Sequence, residues 1–151
     1  MTRARMTAAV LIWCVALLLT ALTGCGIPER GPLMSAGENC LSCHGAGTGL
    51  EQGRTWSVAG TAFHSFSAGP EEGVGGVEVR LTDKNGRELS LTSNRAGNFY
   101  TAEPLAFPLQ RACVERNGEV FCMRREVPEG SCNSCHNIPP MWAAPGRVRS
   151  P

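Results

Sequence analysis

The sequence predicts a mainly β fold, a small two-sheet sandwich with a short helical segment at each end. Apolar and polar residues alternate along short stretches between residues 57 and 123, and Asn-Gly turn signals separate several of these stretches. The same five-residue pattern, Cys-x-x-Cys-His, stands on each side of that region. The length of 151 residues suits one modest domain. The predicted divisions of the chain are an N-terminal signal (1–24), a tether (25–35), a segment with the first motif (36–56), the β-sandwich (57–123) and a segment with the second motif and the tail (124–151).

The first 24 residues have the pattern of a bacterial lipoprotein signal peptide. Arg3 and Arg5 form a basic start, an apolar run follows over residues 8–19, and Leu-Thr-Gly-Cys ends the segment at Cys25. The apolar run is shorter than the ~20 residues that span a bilayer. The ending resembles the lipobox, in which the cysteine sulfur is diacylglycerylated and the chain is cut before it. We therefore expect a lipid anchor at Cys25, with an ordinary cleaved signal as the alternative.

Residues 25–35 are predicted to be a tether, because Gly and Pro break regular structure there. Gly26 after Cys25, rather than Asp, resembles lipoproteins that are sent to the outer membrane. We therefore expect the protein in the bacterial cell envelope, anchored by lipid to the outer membrane, with the face of the membrane left open.

The charge balance argues against nucleic acid as a partner. Removal of the signal takes Arg3 and Arg5 from the 14 basic residues and leaves 12, against 13 acidic residues. No basic stripe runs along the sequence.

Short helices are predicted at both Cys-x-x-Cys-His motifs. Ser35 and Glu38 have the spacing of a capping box ahead of the first motif. Ser131 is a candidate N-cap for the second motif.

The first predicted hairpin follows from its buried face. A three-residue loop ending at Gly86 pairs Leu81 with Leu89 and Val79 with Leu91, so that all four leucine and valine side chains share one face. A two-residue turn would put the apolar residues of the two strands on opposite faces. The longer loop is therefore predicted, with Gly86 at the αL position.

The second predicted hairpin carries a disulfide. A two-residue Asn117-Gly118 turn places opposite charges beside the turn and sets Cys113 directly across from Cys122. That pair falls at a non-hydrogen-bonded position, where Cα atoms lie about 4.5 Å apart and a disulfide is tolerated. These two are also the thiols left over when the signal, the lipid site and the motifs have taken the other six. We predict a Cys113–Cys122 disulfide, as expected in an exported protein; two buried free thiols are the alternative.

The two Cys-x-x-Cys-His copies carry the chemistry. The pattern is that of c-type haem attachment, in which two thiols add to the haem vinyl groups and the imidazole binds iron. One copy alone fits a redox dithiol or half a zinc site, but structural zinc pairs lie far closer than the roughly ninety residues between these copies. We therefore predict two covalently bound haem c groups. Their binding residues are Cys40, Cys43 and His44 in the first motif and Cys132, Cys135 and His136 in the second.

The middle of the chain resembles a known domain family. Residues 76–86, continuing through 93–100, look like the carboxypeptidase regulatory-like domains, which are small prealbumin-type, Ig-like β-sandwiches. The similarity covers about residues 56–123 and rests on turn and strand patterns. It implies a scaffold without catalysis. With its lipobox and flanking motifs, the whole chain resembles bacterial multihaem c-type cytochromes with an inserted β-domain.

The ligand opposite each motif histidine determines what a haem does. His44 and His136 are the expected proximal ligands, and His64 is the remaining histidine, so at most one haem can be bis-His within a single chain. His64 is a candidate distal ligand, with a solvated loop histidine as the alternative. Met123 is a weaker candidate, against a role as core filling. Another methionine, an open haem or a ligand from a partner chain remain as alternatives.

The tail after the second motif is rich in proline. Trp142 is expected to pack on a haem edge rather than to relay electrons. Arg147 and Arg149 are expected to be solvated rather than paired with haem propionates.

These features predict a lipid-anchored di-haem cytochrome that carries single electrons between membrane-associated redox proteins and is not an enzyme. One alternative is a peroxidase-like haem enzyme or small-ligand sensor with an open haem, for which we find no distal His, Arg or Glu set near either motif. Another is a non-haem structural lipoprotein with a Cys-rich metal site or disulfides. No nucleophile–base pair or phosphate loop favours hydrolytic chemistry.

Overall fold

The computed structural model describes residues 33–49 and 54–151, and within them the chain is mainly β. Two helices of a single turn each stand near the two ends of the described chain, α1 (Leu41–His44) and α2 (Cys132–Cys135). A 3₁₀ turn covers Pro70–Glu72. The strands are β1 (Val58–Phe63), β2 (Glu78–Thr82), β3 (Glu88–Thr92), β4 (Asn98–Thr101), β5 (Arg111–Arg116), β6 (Glu119–Cys122) and β7 (Val148–Arg149).

The strands form two sheets. In the three-stranded sheet, of order β4-β1-β7, β1 lies in the middle and pairs antiparallel with β4 and parallel with β7. The four-stranded sheet has the order β3-β2-β5-β6 and is antiparallel throughout. The prediction of a mainly β chain is thus confirmed.

The register predicted for the first hairpin is confirmed. Leu81 pairs with Leu89 and Val79 with Leu91 across β2 and β3. Gly86 has a φ of 82°, the left-handed conformation expected at the end of the three-residue loop.

The register and the disulfide predicted for the second hairpin are also confirmed. Cys113 pairs with Cys122 across β5 and β6, and the two are joined by a disulfide with Cα atoms 4.0 Å apart. Asn117 and Gly118 both have positive φ, as a two-residue type I′ turn requires.

The apolar core draws on both sheets. Val58 and Ala62 of β1 and Phe99 of β4 meet side chains of the four-stranded sheet there. The members contributed by β2, by β5 and by the segments beside them are Val74, Val77, Val79, Leu81, Leu109 and Val114.

Strand β1 is buried along its whole length, because both of its faces are covered. One face contributes to the core, and on the other Phe63 packs with Ala36 and Ala68 in a second apolar cluster. Since side chains alternate between the faces of a strand, Thr61 shares the Phe63 side and is also fully buried. The chain segment before α1 therefore lies against β1.

The first helix begins later than predicted. Its N-cap position is Cys40, and no side chain caps it. Ser35 and Glu38 instead close a turn through a backbone hydrogen bond of 3.5 Å. The capping-box prediction is wrong because Gly37, between them, has a φ of 81°, which no α-helix contains.

Part of the predicted N-terminus lies outside the described residues, namely the signal peptide 1–24, the lipid-bearing Cys25 and the tether up to residue 32. At the first described residue, the carbonyl of Leu33 accepts a hydrogen bond from the side-chain amide of Asn98 in β4. Among the described helices, none has the length and apolar character needed to cross a membrane.

Candidate haem-attachment sites

The two Cys-x-x-Cys-His motifs have the same local structure. In each, one helical turn carries the second cysteine, and the backbone N–H of the histidine donates to the carbonyl of the first cysteine. The N···O distance is 2.8 Å from His44 to Cys40 and 3.0 Å from His136 to Cys132. Each turn therefore holds the two thiols and the imidazole of its motif together.

The serine before the second cysteine makes the same hydrogen bond in both motifs. Ser42 Oγ donates to the carbonyl of Asn39 at 2.6 Å, and Ser134 Oγ donates to the carbonyl of Ser131 at 2.7 Å. Both bonds run back three residues and satisfy a carbonyl at the start of the turn. The likeness between the motifs thus extends beyond the cysteines and histidines.

Each motif histidine is held by a carbonyl ten residues further along the chain. The Nδ1 atom of His44 lies 2.7 Å from the carbonyl oxygen of Arg54, and that of His136 lies 2.8 Å from the carbonyl oxygen of Gly146. A carbonyl only accepts hydrogen bonds, so Nδ1 must carry the proton in both rings. In the neutral imidazole this leaves the Nε2 lone pair for a metal, as in most histidine ligands.

His44 is further held by stacked aromatic rings. Trp56 lies face to face with it at a centroid distance of 3.9 Å and an interplanar angle of 9°. Tyr100 of β4 in turn stacks on Trp56, at a centroid distance of 4.1 Å and an interplanar angle of 16°. The Trp56 backbone N–H also donates to the His44 carbonyl at 2.7 Å. This stack fixes the plane of the His44 ring against the three-stranded sheet.

Sequence reasoning missed Trp56 and Tyr100. Neither belongs to the motif, and the strand that carries Tyr100 meets the motif only through the fold. The one feature of the sequence that could have indicated the stack is Trp56, an aromatic residue just before β1. By itself such a residue is more typical of core packing.

The four motif cysteines are half-buried and form no disulfide, namely Cys40, Cys43, Cys132 and Cys135. Burial raises the pKa of the Cys132 thiol to about 12, and the negative charge that Cys40 can carry adds to this. Burial is also the main cause of the raised pKa of Cys40. A redox dithiol reacts through a cysteine whose pKa is lowered. The pKa values of Cys40 and Cys132 are raised instead, which is the opposite of what that chemistry needs.

The two motifs meet in the folded chain. Ser131 Oγ donates to Asn39 Oδ1 at 2.6 Å, and Asn133 Nδ2 donates to the carbonyl of Glu38 at 2.9 Å. Ser131 occupies the predicted N-cap position of α2, yet its side chain does not cap the helix. The position is confirmed, and the hydroxyl is used to hold the first motif.

A buried polar network behind this contact runs through β1. Asn133, only 2% exposed, accepts from the Thr61 backbone N–H at 3.1 Å and donates to Thr61 Oγ1 at 3.0 Å. Thr61 Oγ1 also accepts from the Gly37 backbone N–H at 3.0 Å and donates to Asn98 Oδ1 at 2.7 Å. Asparagine and threonine can occupy these buried positions, because a buried amide or hydroxyl is tolerated when its hydrogen bonds are satisfied.

A glycine in β1 allows α2 to approach closely. A Cβ atom at Gly60 would lie 2.8 Å from the Cβ of Cys132, closer than such atoms pack. The first cysteine of the second motif therefore lies directly on β1.

The candidate distal ligands are both at the surface. His64 follows β1 and is exposed, with its backbone N–H bonded to the Glu72 carbonyl at 3.4 Å. Met123 follows β6 and is also exposed, with its backbone N–H bonded to the Ala112 carbonyl at 2.9 Å. Across residues 33–49 and 54–151, no hydrogen bond or ring contact joins either side chain to a motif. Their role as distal ligands stays a prediction.

The described ranges contain no group of three or more His, Cys, Asp or Glu side chains arranged to hold a metal ion. No family model matches the chain, and no curated protein or solved structure shows significant similarity to it.

Proposed function

We propose that this chain is a lipid-anchored di-haem c-type cytochrome that carries single electrons between membrane-associated redox proteins. The observation that carries the proposal is the matched pair of histidine bonds. His44 and His136 each follow a Cys-x-x-Cys turn, and the Nδ1–H of each donates a hydrogen bond to a carbonyl, which orients Nε2 as a ligand atom.

The residues present fit two covalently attached haems. In each motif the two cysteines would form the thioether bonds, and the histidine would bind the iron as proximal ligand. A bound haem supplies a reversible one-electron iron couple. The chain's part is to fix the plane of each imidazole, and at His44 the stacked ring of Trp56 adds to the hydrogen bond in doing so.

Exposed apolar side chains after the second motif also support the proposal. Ile138, Met141 and Trp142 are all largely exposed, and Trp142 is 82% exposed. The three lie within five residues of one another in the sequence, and exposed apolar side chains that form one contiguous patch mark a binding site. A porphyrin attached to the neighbouring motif would cover such a surface.

The contact between the motifs favours a pair of haems that exchange electrons with each other. Asn39 and Ser131, which are hydrogen-bonded, directly precede Cys40 and Cys132. Attachment points this close would bring the two porphyrins near each other. In the proposed function the two sheets are a scaffold, a prealbumin-type sandwich whose strand β1 holds both motifs in place.

His64 and Met123 are proposed as distal ligands, with His64 the stronger. One bis-His haem and one haem with a methionine ligand would differ in reduction potential. A difference of this kind gives the pair a direction for electron flow.

An optical redox titration of the purified full-length protein tests the proposal. We expect c-type absorption bands, two haems per chain by pyridine haemochrome, and reversible one-electron steps without a substrate. Carbon monoxide bound by the reduced protein without loss of a native ligand would instead favour the enzyme or sensor. A colourless protein containing zinc by elemental analysis would favour the structural lipoprotein.

A further inference from the structure

Arg147 is a buried cation beside both motifs. Arg147 is only 9% exposed, so the prediction of a solvated Arg147 side chain is wrong. Its guanidinium lies over the Phe63 ring, with Cζ 4.8 Å from the centroid, and Nη1 donates to the Gly37 carbonyl at 2.7 Å. The burial arises because residues 146–150 fold back onto the end of β1, where the Arg147 backbone N–H donates to the Phe66 carbonyl.

Among residues 33–49 and 54–151, this guanidinium has no counter-charge. In the part of the chain that the structure describes, no carboxylate pairs with Arg147, and its buried Nε atom has no hydrogen-bond partner. The exposed arginines Arg80 and Arg87, by contrast, pair with Glu115 and Glu103. Burial lowers the pKa of Arg147, yet arginine stays charged in proteins.

A buried charge without a partner is costly even after the surroundings relax. The cation–π contact with Phe63 offsets only part of this cost. An anion bound beside Arg147 would offset the rest of this cost.

The position of Arg147 indicates what that anion is. Its neighbour Gly146 supplies the carbonyl that orients His136, so the chain on one side of the guanidinium belongs to the second motif. Gly37, on the other side, lies three residues before Cys40. A Cβ at Gly37 would lie 2.6 Å from the guanidinium carbon, so only glycine leaves room for the charge there.

We propose that Arg147 is an anion-binding residue and that its ligand is a carboxylate, the propionate of a haem attached to one of the two motifs. This inference rests on the proposed function. The planar guanidinium suits a carboxylate, because its N–H groups form parallel, charge-assisted hydrogen bonds with the two oxygens. A small free anion such as phosphate shares this chemistry and is the other source that the test must separate.

The test is a potentiometric titration of the haem-loaded full-length protein, comparing wild type with Arg147→Gln and Arg147→Lys. Loss of the positive charge favours the oxidised iron, so in Arg147→Gln the equilibrium constant for reducing one haem should fall about tenfold, or 59 mV for a one-electron couple. Arg147→Lys keeps the charge and should show a smaller fall of the same sign. If the glutamine variant does not fold, the lysine variant alone carries the comparison.

The matched control is Arg149, two residues on in β7, which is exposed and lies over the Phe66 and Phe121 rings. Arg149→Gln and Arg149→Lys should leave both haem potentials unchanged. Potentials that change no more in the Arg147 variants than in these controls would overturn the proposal. A wild-type protein without haem would overturn the proposed function, and this inference with it.

Added phosphate separates the two sources of the anion. At constant ionic strength it should leave the wild-type potentials unchanged, because the propionate already occupies Arg147. A potential that falls with phosphate in the wild type but not in Arg147→Gln would show a free-anion site and overturn the assignment to the propionate.

Discussion

Ser131 donates a hydrogen bond to Asn39 across 2.6 Å, and each of these residues directly precedes the first cysteine of its motif. The bond joins positions 92 residues apart in the chain. As a result, the two ends of the described chain are held side by side on β1, and Cys40 contributes to the raised pKa of Cys132. The fold thus places two distant motifs in one site.

The buried amide of Asn133 should be the main stabilising residue at this junction. Asn133→Ala leaves the buried Thr61 backbone N–H without its partner and removes the hydrogen bond to the Glu38 carbonyl, and an unsatisfied buried group costs about 1–3 kcal/mol. We expect the free energy of unfolding in urea to fall by about 2–4 kcal/mol. Asn85→Ala, in the exposed β2–β3 loop, is the matched control and should change it by less than about 0.5 kcal/mol. Equal effects in the two variants would contradict this account of the junction.

The aromatic stack on His44 should affect one haem site and not the other. Trp56→Leu removes both ring contacts, so the His44 plane is no longer fixed from that side. We expect one of the two haem signals in the electron paramagnetic resonance spectrum of the oxidised protein to shift or broaden, while the second stays unchanged. Trp142→Leu, at an exposed tryptophan outside the stack, should leave the His44 signal as it is. A Trp56→Leu spectrum identical to that of the wild type would show that the stack has no positioning role.

The disulfide should stabilise the scaffold without touching the sites. Cys113→Ala combined with Cys122→Ala opens a short loop, with a sequence separation of 9, so the free energy of unfolding should fall by about 2–3 kcal/mol. The absorption spectrum of the attached haems should stay the same. Treating the wild type with dithiothreitol should reproduce the loss, and treating the double variant should add nothing. A loss of haem in the double variant would mean that β5 and β6 do more than support the fold.

Asp83 should make stability depend on pH at the acid end. Its carboxylate accepts backbone hydrogen bonds from Ala106, Asn85 and Arg87, and chiefly the bond from Ala106 holds its pKa below the ordinary value. A lowered pKa in the folded state means that the stabilisation is present above about pH 4 and is lost as the pH falls through the folded-state value.

Thermal unfolding between pH 7 and pH 2 measures this dependence. Asp83→Asn should lower the unfolding temperature at pH 7 and flatten its fall below pH 4. Glu88→Gln, at an exposed carboxylate, should follow the wild type at every pH. If Asp83→Asn keeps the full acid-dependent fall, another carboxylate is responsible for it.

The local parts of the fold could be predicted from the sequence. In the hairpins that end at Gly86 and turn at Asn117, the partner strands are adjacent in the chain. A one-residue slip in the first hairpin would take Leu89 and Leu91 off the face that Val79 and Leu81 share. In the second hairpin the Asn117-Gly118 turn sets the register, and the Cys113–Cys122 disulfide follows from it. The motif cysteines and histidines can also be identified from the sequence, because the Cys-x-x-Cys-His pattern is local.

The non-local parts could not be predicted. The hydrogen bonds between Thr61 and Asn133 and between Asn39 and Ser131 join segments that only the finished fold brings together. The burial of Arg147 depends on how the last residues fold back onto Phe63. The spacing of Ser35 and Glu38 predicts a capping box, but it does not reveal the αL conformation of Gly37, which prevents a helix there.

Intact-mass measurement of the protein, purified from a host that matures c-type cytochromes, tests the central claim most directly. We expect the wild type to carry the mass of two haems after denaturation, Cys40→Ala with Cys43→Ala to carry one, and Cys132→Ala with Cys135→Ala to carry one. A wild-type mass without any haem, with the four motif thiols still open to alkylation, would contradict the claim.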